Sequence, residues 1–454
     1  MGQSHSKRLY PPSNSVVLPE TRTQIEQRKK GKSRDNQGKY RDVTVLWQVK
    51  EDEETLPTRS RLPWMAYLTE PEDGTWISAA HRLSAEIRAF EDYSAPSRDE
   101  KRAAENALSE VIRTIQQADP NLDVDVIGSR ASGFDDPLSD LDLNVTNRLS
   151  PRTMNKLKTP YEILRFLEDV FRGNHLGVRL KACPLKVLFN VRAAKVPILI
   201  CQHRPSGLEV QIQATPRAID STEYVKAFHQ EFPNLRSLFK VIKQIMIMRG
   251  LNIGSHGGLT SYPLIIMIVA ALKFSEGKFE RMDAGQQLLY FLDQYTGMNF
   301  GASGISTRPL RYFLKYLGNP NHKQKPLVIE KELAATSTNF EKELAGQRQM
   351  AVREQRDRFL MTLQDPADPF NELGRSVYLI KDIQETLIGI HTKLKASMAE
   401  WEEFEPQPGS FHGQRRTQSL LESCIGGDYR VYEQERKDLR LLGREQAAPA
   451  KGLK

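Results

Sequence analysis

The sequence predicts an α+β chain, with a small mixed sheet and its helices first and an all-helical domain after it. Three observations carry that prediction. Five short apolar runs rich in Val, Ile and Leu lie at 122–127, 140–145, 185–190, 196–201 and 208–213. A helix-containing crossover, around 161–171, separates the second run from the third. From about Thr222 onward the apolar residues recur at helical spacing.

Taken in order, two helices come first. The stretch 77–93 carries Leu83, Ile87 and Phe90 on one face, and 97–118 carries Leu108, Ile112 and Ile115. Asp119-Pro120 closes the second helix, because proline cannot continue it. Arg204-Pro205-Ser206-Gly207 reads as a turn between the last two strands. Helices are then predicted at 235–248, 264–274, 285–295, 309–316, 329–344 and 347–363. The last two are dense in Glu, Lys, Arg and Gln, which suits a solvent-facing surface. Pro406 to Gln418 reads as a linker, and 420–446 as one charged helix. The expected organisation is a basic, mostly disordered tail at 1–60, the sheet domain with its preceding helices at 61–218, the helical domain at 219–405, and the linker with its charged helix at 406–454.

The formal charge of +8 suits a polyanionic partner, and it equally suits a solvated surface with basic tails. Cys183, Cys201 and Cys424 include no close pair, so neither a disulfide framework nor a zinc site is expected and a reducing compartment fits. The longest apolar stretch, 264–272, is far short of a membrane span. No secretory apolar segment is read near Met1. Met1-Gly2-Gln3-Ser4-His5-Ser6 fits an N-myristoylation pattern, and Arg28, Lys29, Lys30, Lys32 and Arg34 fit a nuclear signal or a solvated basic tail. The first nineteen residues hold Ser, Lys and Arg but no acid, which leans toward the mitochondrion, with nucleus and cytoplasm as alternatives.

The chemistry is concentrated at Gly128-Ser129-Arg130-Ala131-Ser132-Gly133, with Ser139-Asp140-Leu141-Asp142 six residues further on. Alternate residues of a strand face the same way, so Asp140 and Asp142 project side by side. A glycine after a strand lets the backbone approach phosphate oxygens, and N–H groups with a serine hydroxyl can cradle them. Gly-Ser alone is an ordinary turn, and Ser-Asp-x-Asp alone is an ordinary strand end. Their combination at this spacing predicts two carboxylates holding a pair of Mg²⁺ or Mn²⁺ ions about 3.5–4 Å apart beneath a nucleoside triphosphate.

These motifs resemble those of the noncanonical poly(A) polymerase and terminal uridylyltransferase family, within the DNA polymerase beta-like nucleotidyltransferase superfamily. The resemblance runs from about Ala79 to Thr386. It includes Glu86-Ile87 with Phe90, the Gly128-Ser129 to Asp142 signature, Lys243-Gln244, and Leu251-Asn252 with Gly257-Gly258-Leu259-Thr260-Ser261-Tyr262. Asp365-Pro366 with Asp368-Pro369-Phe370-Asn371 and Gly374-Arg375-Ser376 resembles part of the poly(A)-polymerase-associated region. The resemblance implies a nucleotidyltransferase palm carrying the metals and a helical poly(A)-polymerase-associated domain. It also implies that Gly128, Ser129, Ser139, Lys243 and Ser261 contact the nucleotide, and that Tyr262 stacks on the base. Read without the family, Lys243 is first a surface lysine and Tyr262 first an ordinary core aromatic.

One position departs from the family pattern. A third catalytic aspartate is expected on a later palm strand, and in Gly207-Leu208-Glu209-Val210-Gln211 that place is held by Gln211. Glu209 lies on the same strand face, roughly 6.6 Å away along the strand, and is the candidate substitute. The leading expectation is template-independent addition of AMP from ATP to an RNA 3′ end. UTP-favouring members of that family often carry a histidine late in the helical domain, and Phe370-Asn371-Glu372-Leu373-Gly374 has none, so the resemblance favours ATP over UTP. The alternatives are a terminal uridylyltransferase, a catalytically silent nucleotide- or RNA-binding relative, and a transferase acting on a small molecule. No RNA-binding module is recognised, so RNA contact would fall to the cleft and to basic residues such as Lys181, Lys186, Arg192 and Lys195, or to an accessory RNA-binding protein.

Overall fold

The computed structural model describes residues 57–72, 76–148, 159–191, 196–215, 221–315, 338–351, 361–403 and 419–447. The expectations for the tail up to residue 56, for Arg192 and Lys195, and for the linker up to Gln418 lie outside the described residues. Thr58–Arg61, at the end of the expected tail, forms one helical turn.

Helix α1 (Ala79–Ser94) and helix α2 (Arg98–Ala118) come first. A capping box starts α2: the Glu100 N–H donates to the Ser97 hydroxyl, and the Ser97 N–H donates to the Glu100 carboxylate. Strand β1 (Leu122–Val126) runs into the one-turn helix α3 (Gly128–Ser132) and then into β2 (Leu141–Asn147). Helix α4 (Pro160–Phe171) carries Pro160 in its first turn, where no backbone donor is lost, and has its own capping box at Thr159 and Glu162. It crosses to β3 (Leu185–Val191), which is followed by β4 (Ile198–His203) and β5 (Glu209–Gln213).

The five strands lie in the order β1-β2-β5-β4-β3, and only β2 and β5 run parallel. The crossover through α4 is what allows that parallel pair. Leu141, Leu143, Val145, Val210 and Ile212 point into one core with Val111, Ile115 and Leu167. The intervening residues Asp142, Glu209, Gln211 and Gln213 are half-buried on the opposite face.

Next come α5 (Ser221–Glu231), α6 (Leu235–Met248), α7 (Ser261–Phe274) and α8 (Ala284–Gly297). Every residue of α7 from Pro263 to Leu272 is buried, so this apolar stretch is a central helix packed on all sides. Among the described residues no helix is long and apolar enough to cross a membrane.

The helix predicted at 309–316 is a strand. Strands β6 (Ser303–Thr307) and β7 (Leu310–Leu314) form a hairpin. Gly304 pairs with Phe313, whose ring lies 2.4 Å from where a Gly304 Cβ would be, so only glycine admits it. The Tyr312 ring stacks on Phe274 at 4.4 Å. Aromatic residues that find such partners favour a strand over the helical spacing.

Of the two charged helices predicted at 329–344 and 347–363, residues 329–337 and 352–360 lie outside the described residues, and the described parts differ from the prediction. One helix, α9 (Asn339–Ala351), lies within the described residues. Leu363 belongs instead to β8 (Thr362–Leu363), which pairs parallel with β6. The second domain is therefore not all-helical. Helix α10 (Ile380–Glu403) follows. The single helix predicted at 420–446 is a short turn, Glu422–Ile425, and a separate helix α11 (Arg430–Glu445), with Gly426-Gly427 between them.

The chain divides into two compact units. One holds the described residues from Ser94 to Lys226 together with those from Arg430 onward, so α11 belongs with the five-stranded sheet. Its Arg436 makes a two-pronged ion pair with the buried Glu100 at 2.8 and 3.1 Å. The other unit holds the described residues up to Tyr93 and from Ala227 to Tyr429, so α1 belongs with the helices.

Candidate active site

Asp142 lies beside Gln211 in the parallel β2–β5 ladder, one step on from the Leu141–Val210 pair. Because strand residues alternate, Asp142, Glu209 and Gln211 share the face away from the core, and the amide of Gln211 reaches Asp140 there. The adjoining turn is built around Gly128, whose φ is +73°. A Cβ on Gly128 would lie 2.1 Å from Asp142 Oδ2. The backbone thus comes up against the carboxylate, and glycine permits both the closeness and the backbone angle. The sequence reads a small-residue turn here, and the structure makes it a single helical turn.

Gln211 joins the acids. Its Nε2 donates to Asp140 Oδ2 at 2.9 Å and to Glu209 Oε1 at 3.0 Å. Sequence reasoning treated Gln211 as a loss of charge and missed this bridge. Among the described residues no three His, Cys, Asp or Glu side chains converge into a metal-holding group. The aspartates are a pair, and Glu209 stands one amide away from Asp140. The donor set fits Mg²⁺ or Mn²⁺, since hard carboxylate oxygens can hold such an ion with water and phosphate oxygens completing its shell. Asp140 and Asp142 are the residues that would hold it.

Arg130 was not singled out by sequence, yet it fixes the loop before Asp140. Its guanidinium donates to the carbonyls of Ser139 at 2.6 Å, Asp140 at 3.2 Å and Pro137 at 3.4 Å, and it pairs with Asp135 at 3.3 Å. Burial lowers the guanidinium from its ordinary value, and the charges of Asp135, Asp140, Asp142 and Asp136 oppose that. A guanidinium stays charged under such a pull. Ser139 closes the same loop, because its hydroxyl accepts the Asp136 N–H at 2.8 Å. Its own O–H remains to donate. Ser129 sits in the turn, half-buried, and its carbonyl accepts the Phe134 N–H.

The other expected residues lie in the helical unit. Lys243, half-buried on α6, places its ammonium 5.5 Å from the Phe239 ring centre. Ser261 and Tyr262 open α7 and are half-buried. The Tyr262 hydroxyl donates to Asp365 Oδ1 at 2.8 Å. Asp365 is buried and also accepts from the Ala367 N–H at 2.9 Å and the Asn371 amide at 2.8 Å. Burial pushes its carboxyl up, against the lowering by those donors. The segment that resembled the poly(A)-polymerase-associated region is thus what anchors the tyrosine. Glu86 of the first motif serves packing: fully buried, it accepts from Arg82 at 2.9 Å, from the Ser419 hydroxyl at 2.6 Å, and from the Leu420 and Leu421 N–H groups at 3.1 Å.

Residues 83–230 match the family described as the central palm domain of mitochondrial-like poly(A) RNA polymerase. Poly(A) RNA polymerase protein 1 of Eremothecium gossypii is 25% identical over 400 residues, which are 86% of this chain and 55% of that protein. Residues 83–230 thus carry the palm of that family, and the chain as a whole is similar to noncanonical poly(A) polymerases. A second relative, the inactive non-canonical poly(A) RNA polymerase protein Trf4-2 of Drosophila melanogaster, is 25% identical over 338 residues, 73% of this chain and 72% of that protein. The chain spans about half the length of the first relative. Among solved structures, the polymerase core of TRAMP, an RNA surveillance complex, superposes with a TM-score of 0.59 at 20% identity, covering 80% of this chain and 98% of that one. That likeness agrees with the α+β palm fold.

Proposed function

We propose that this chain is a template-independent nucleotidyltransferase that adds nucleotides to RNA 3′ ends, AMP from ATP first among them. The observation that carries the reading is the placement of the Asp142 carboxylate against Gly128, with Asp140 and Glu209 joined by Gln211 beside it. Asp140 and Asp142 would hold the divalent ions. Such ions, when bound, acidify an attacking hydroxyl and neutralise charge on the leaving pyrophosphate. Gly128 and Ser129 offer backbone and hydroxyl groups to phosphate, and Arg130 keeps the loop before Asp140 in place. Lys243 and Ser261 are assigned to the triphosphate and Tyr262 to the base, where stacking on an aromatic ring is worth about 1–3 kcal/mol. Glu209 is assigned the third acidic role.

A short labelled RNA with Mg²⁺ or Mn²⁺ and each nucleotide supplied separately tests this. Extension with ATP that disappears in both Asp140→Asn and Asp142→Asn is the expected result. Extension with UTP alone would replace adenylation by uridylation.

The second reading is a catalytically silent relative, favoured by Gln211 standing opposite Asp142 where the family pattern expects an acid. It requires nucleotide or RNA binding without extension under either metal.

A further inference from the structure

We propose that Gln211 is a positioning residue that keeps Glu209 as the third acid of the site. The Glu209–Gln211 pair then does from two strand positions what one acid opposite Asp142 would do. This rests on the reading of Asp140 and Asp142 as cation ligands.

The argument begins with the ladder. Gln211 is the β5 residue that faces Asp142, so a short acid in its place would lie directly beside the aspartates. Glu209 is two residues back on the same face and reaches the group through the amide. A primary amide has two N–H donors, and here one nitrogen contacts two carboxylates, Asp140 just before β2 at 2.9 Å and Glu209 on β5 at 3.0 Å. Turning the amide round would set its carbonyl oxygen against both anions, so the two partners fix its orientation. A neutral donor between two acids holds them near each other without cancelling their charge. The negative charge that a cation senses is thereby kept, while its third carrier moves by one strand repeat. The core lies on the other face, with Val210 and Ile212, so the amide can be changed without opening it. Hydrogen-bond partners of metal ligands commonly set affinity by about 10–100-fold.

The test is Mn²⁺ binding to the full chain without nucleotide or RNA, read by the electron paramagnetic resonance signal of free Mn²⁺. Gln211→Met keeps the length of the side chain and removes both donors, and Gln211→Asn keeps the donors but is too short to span both acids. Each, like Glu209→Gln, is expected to weaken binding by about tenfold or more. Glu209→Gln combined with Gln211→Asp restores an acid beside Asp142 and is expected to return binding to within about threefold of the parent. Melting curves of the same samples read folding, and the shorter amide serves if the methionine variant unfolds.

Parent-like binding in the folded Gln211 variants, or failure of the exchanged pair to recover, overturns the proposal. An Asp140→Asn control separates the two layers. If it loses Mn²⁺ while the Gln211 variants keep it, only the role of Gln211 falls. If it binds like the parent, the cation reading has failed and this proposal falls with it.

Discussion

The Asp142 carboxylate occupies the space that a side chain on Gly128 would need, with Oδ2 2.1 Å from that missing Cβ. The turn and the strand are therefore fitted to each other through one hydrogen atom. Gly128→Ala would push Asp142 aside and also force an L-residue into a left-handed backbone angle, which costs about 1–2 kcal/mol. A displacement of this kind at reacting groups costs about a hundredfold in rate. The expected outcome is RNA extension reduced by about that factor, with a melting point only a few degrees lower. Ser129→Ala, which leaves the backbone untouched, is expected to lose far less, and the paired extension assays check the difference.

What the sequence made legible follows from local rules. Strand alternation put Asp142 on the face opposite the Leu141 and Leu143 core, and helical spacing placed α6 at its observed bounds. The resemblance pointed to Tyr262 and Asp365 as separate motifs. Their hydrogen bond was not visible, because it joins residues 103 apart in the chain. The same holds for Arg436 and Glu100, 336 residues apart, which turn an apparently purposeless charged helix into part of the sheet domain. The parallel pairing of β6 with β8 is a two-residue match between Gly304–Ile305 and Thr362–Leu363, too short to leave any periodic trace. The bridge made by Gln211 depends on the register between β2 and β5, and no spacing rule reports which way an amide turns.

The Arg436–Glu100 pair gives a prediction with a pH sign. Burial raises the Glu100 carboxyl, but the hydrogen bonds and charge of Arg436, with the donors of Ser97, bring it below its ordinary value overall. A lowered folded-state value means that the pair stabilises above the ordinary glutamate pKa, about 4.3, and that this contribution fades as pH falls through the folded value. Arg436→Met strands a buried carboxylate, with Arg440 left 3.6 Å away as a poorer partner. Removing one member of a buried pair costs about 3–5 kcal/mol. Urea unfolding is expected to show a loss of about that size near neutrality and a smaller one at pH 4, so the two stability curves converge on acidification.

Tyr262 and Asp365 separate stacking from orientation. Tyr262→Phe keeps the ring but removes the donor to Asp365, a hydrogen bond to a charged group worth about 1.5–3 kcal/mol. Burial already raises the Asp365 carboxyl, and losing a lowering donor raises it further. A raised folded-state carboxyl costs stability in full above the folded value, and that cost shrinks as pH falls below it and is gone below the ordinary aspartate pKa. The Phe variant is therefore expected to be destabilised at pH 7 and to recover part of the difference at lower pH. If the ring carries the base, Tyr262→Ala raises the KM for nucleotide by a further factor that stacking of about 1–3 kcal/mol sets. Initial rates over a range of ATP concentrations check that.

Glu86 tests whether the first family motif acts by packing. Its fully buried carboxylate accepts from the Arg82 guanidinium, the Ser419 hydroxyl and the N–H groups of Leu420 and Leu421, so four donors converge on one anion. Glu86→Gln turns one oxygen into a donor that faces other donors and removes the negative charge that Arg82 meets at 2.9 Å. Breaking a buried ion pair in this way costs about 3–5 kcal/mol. The expected result is a lower urea midpoint with an unchanged slope, since the same surface is exposed on unfolding. If Glu86 instead contacted the nucleotide, the variant would keep its urea midpoint and lose nucleotide affinity, which a binding titration on the folded protein distinguishes.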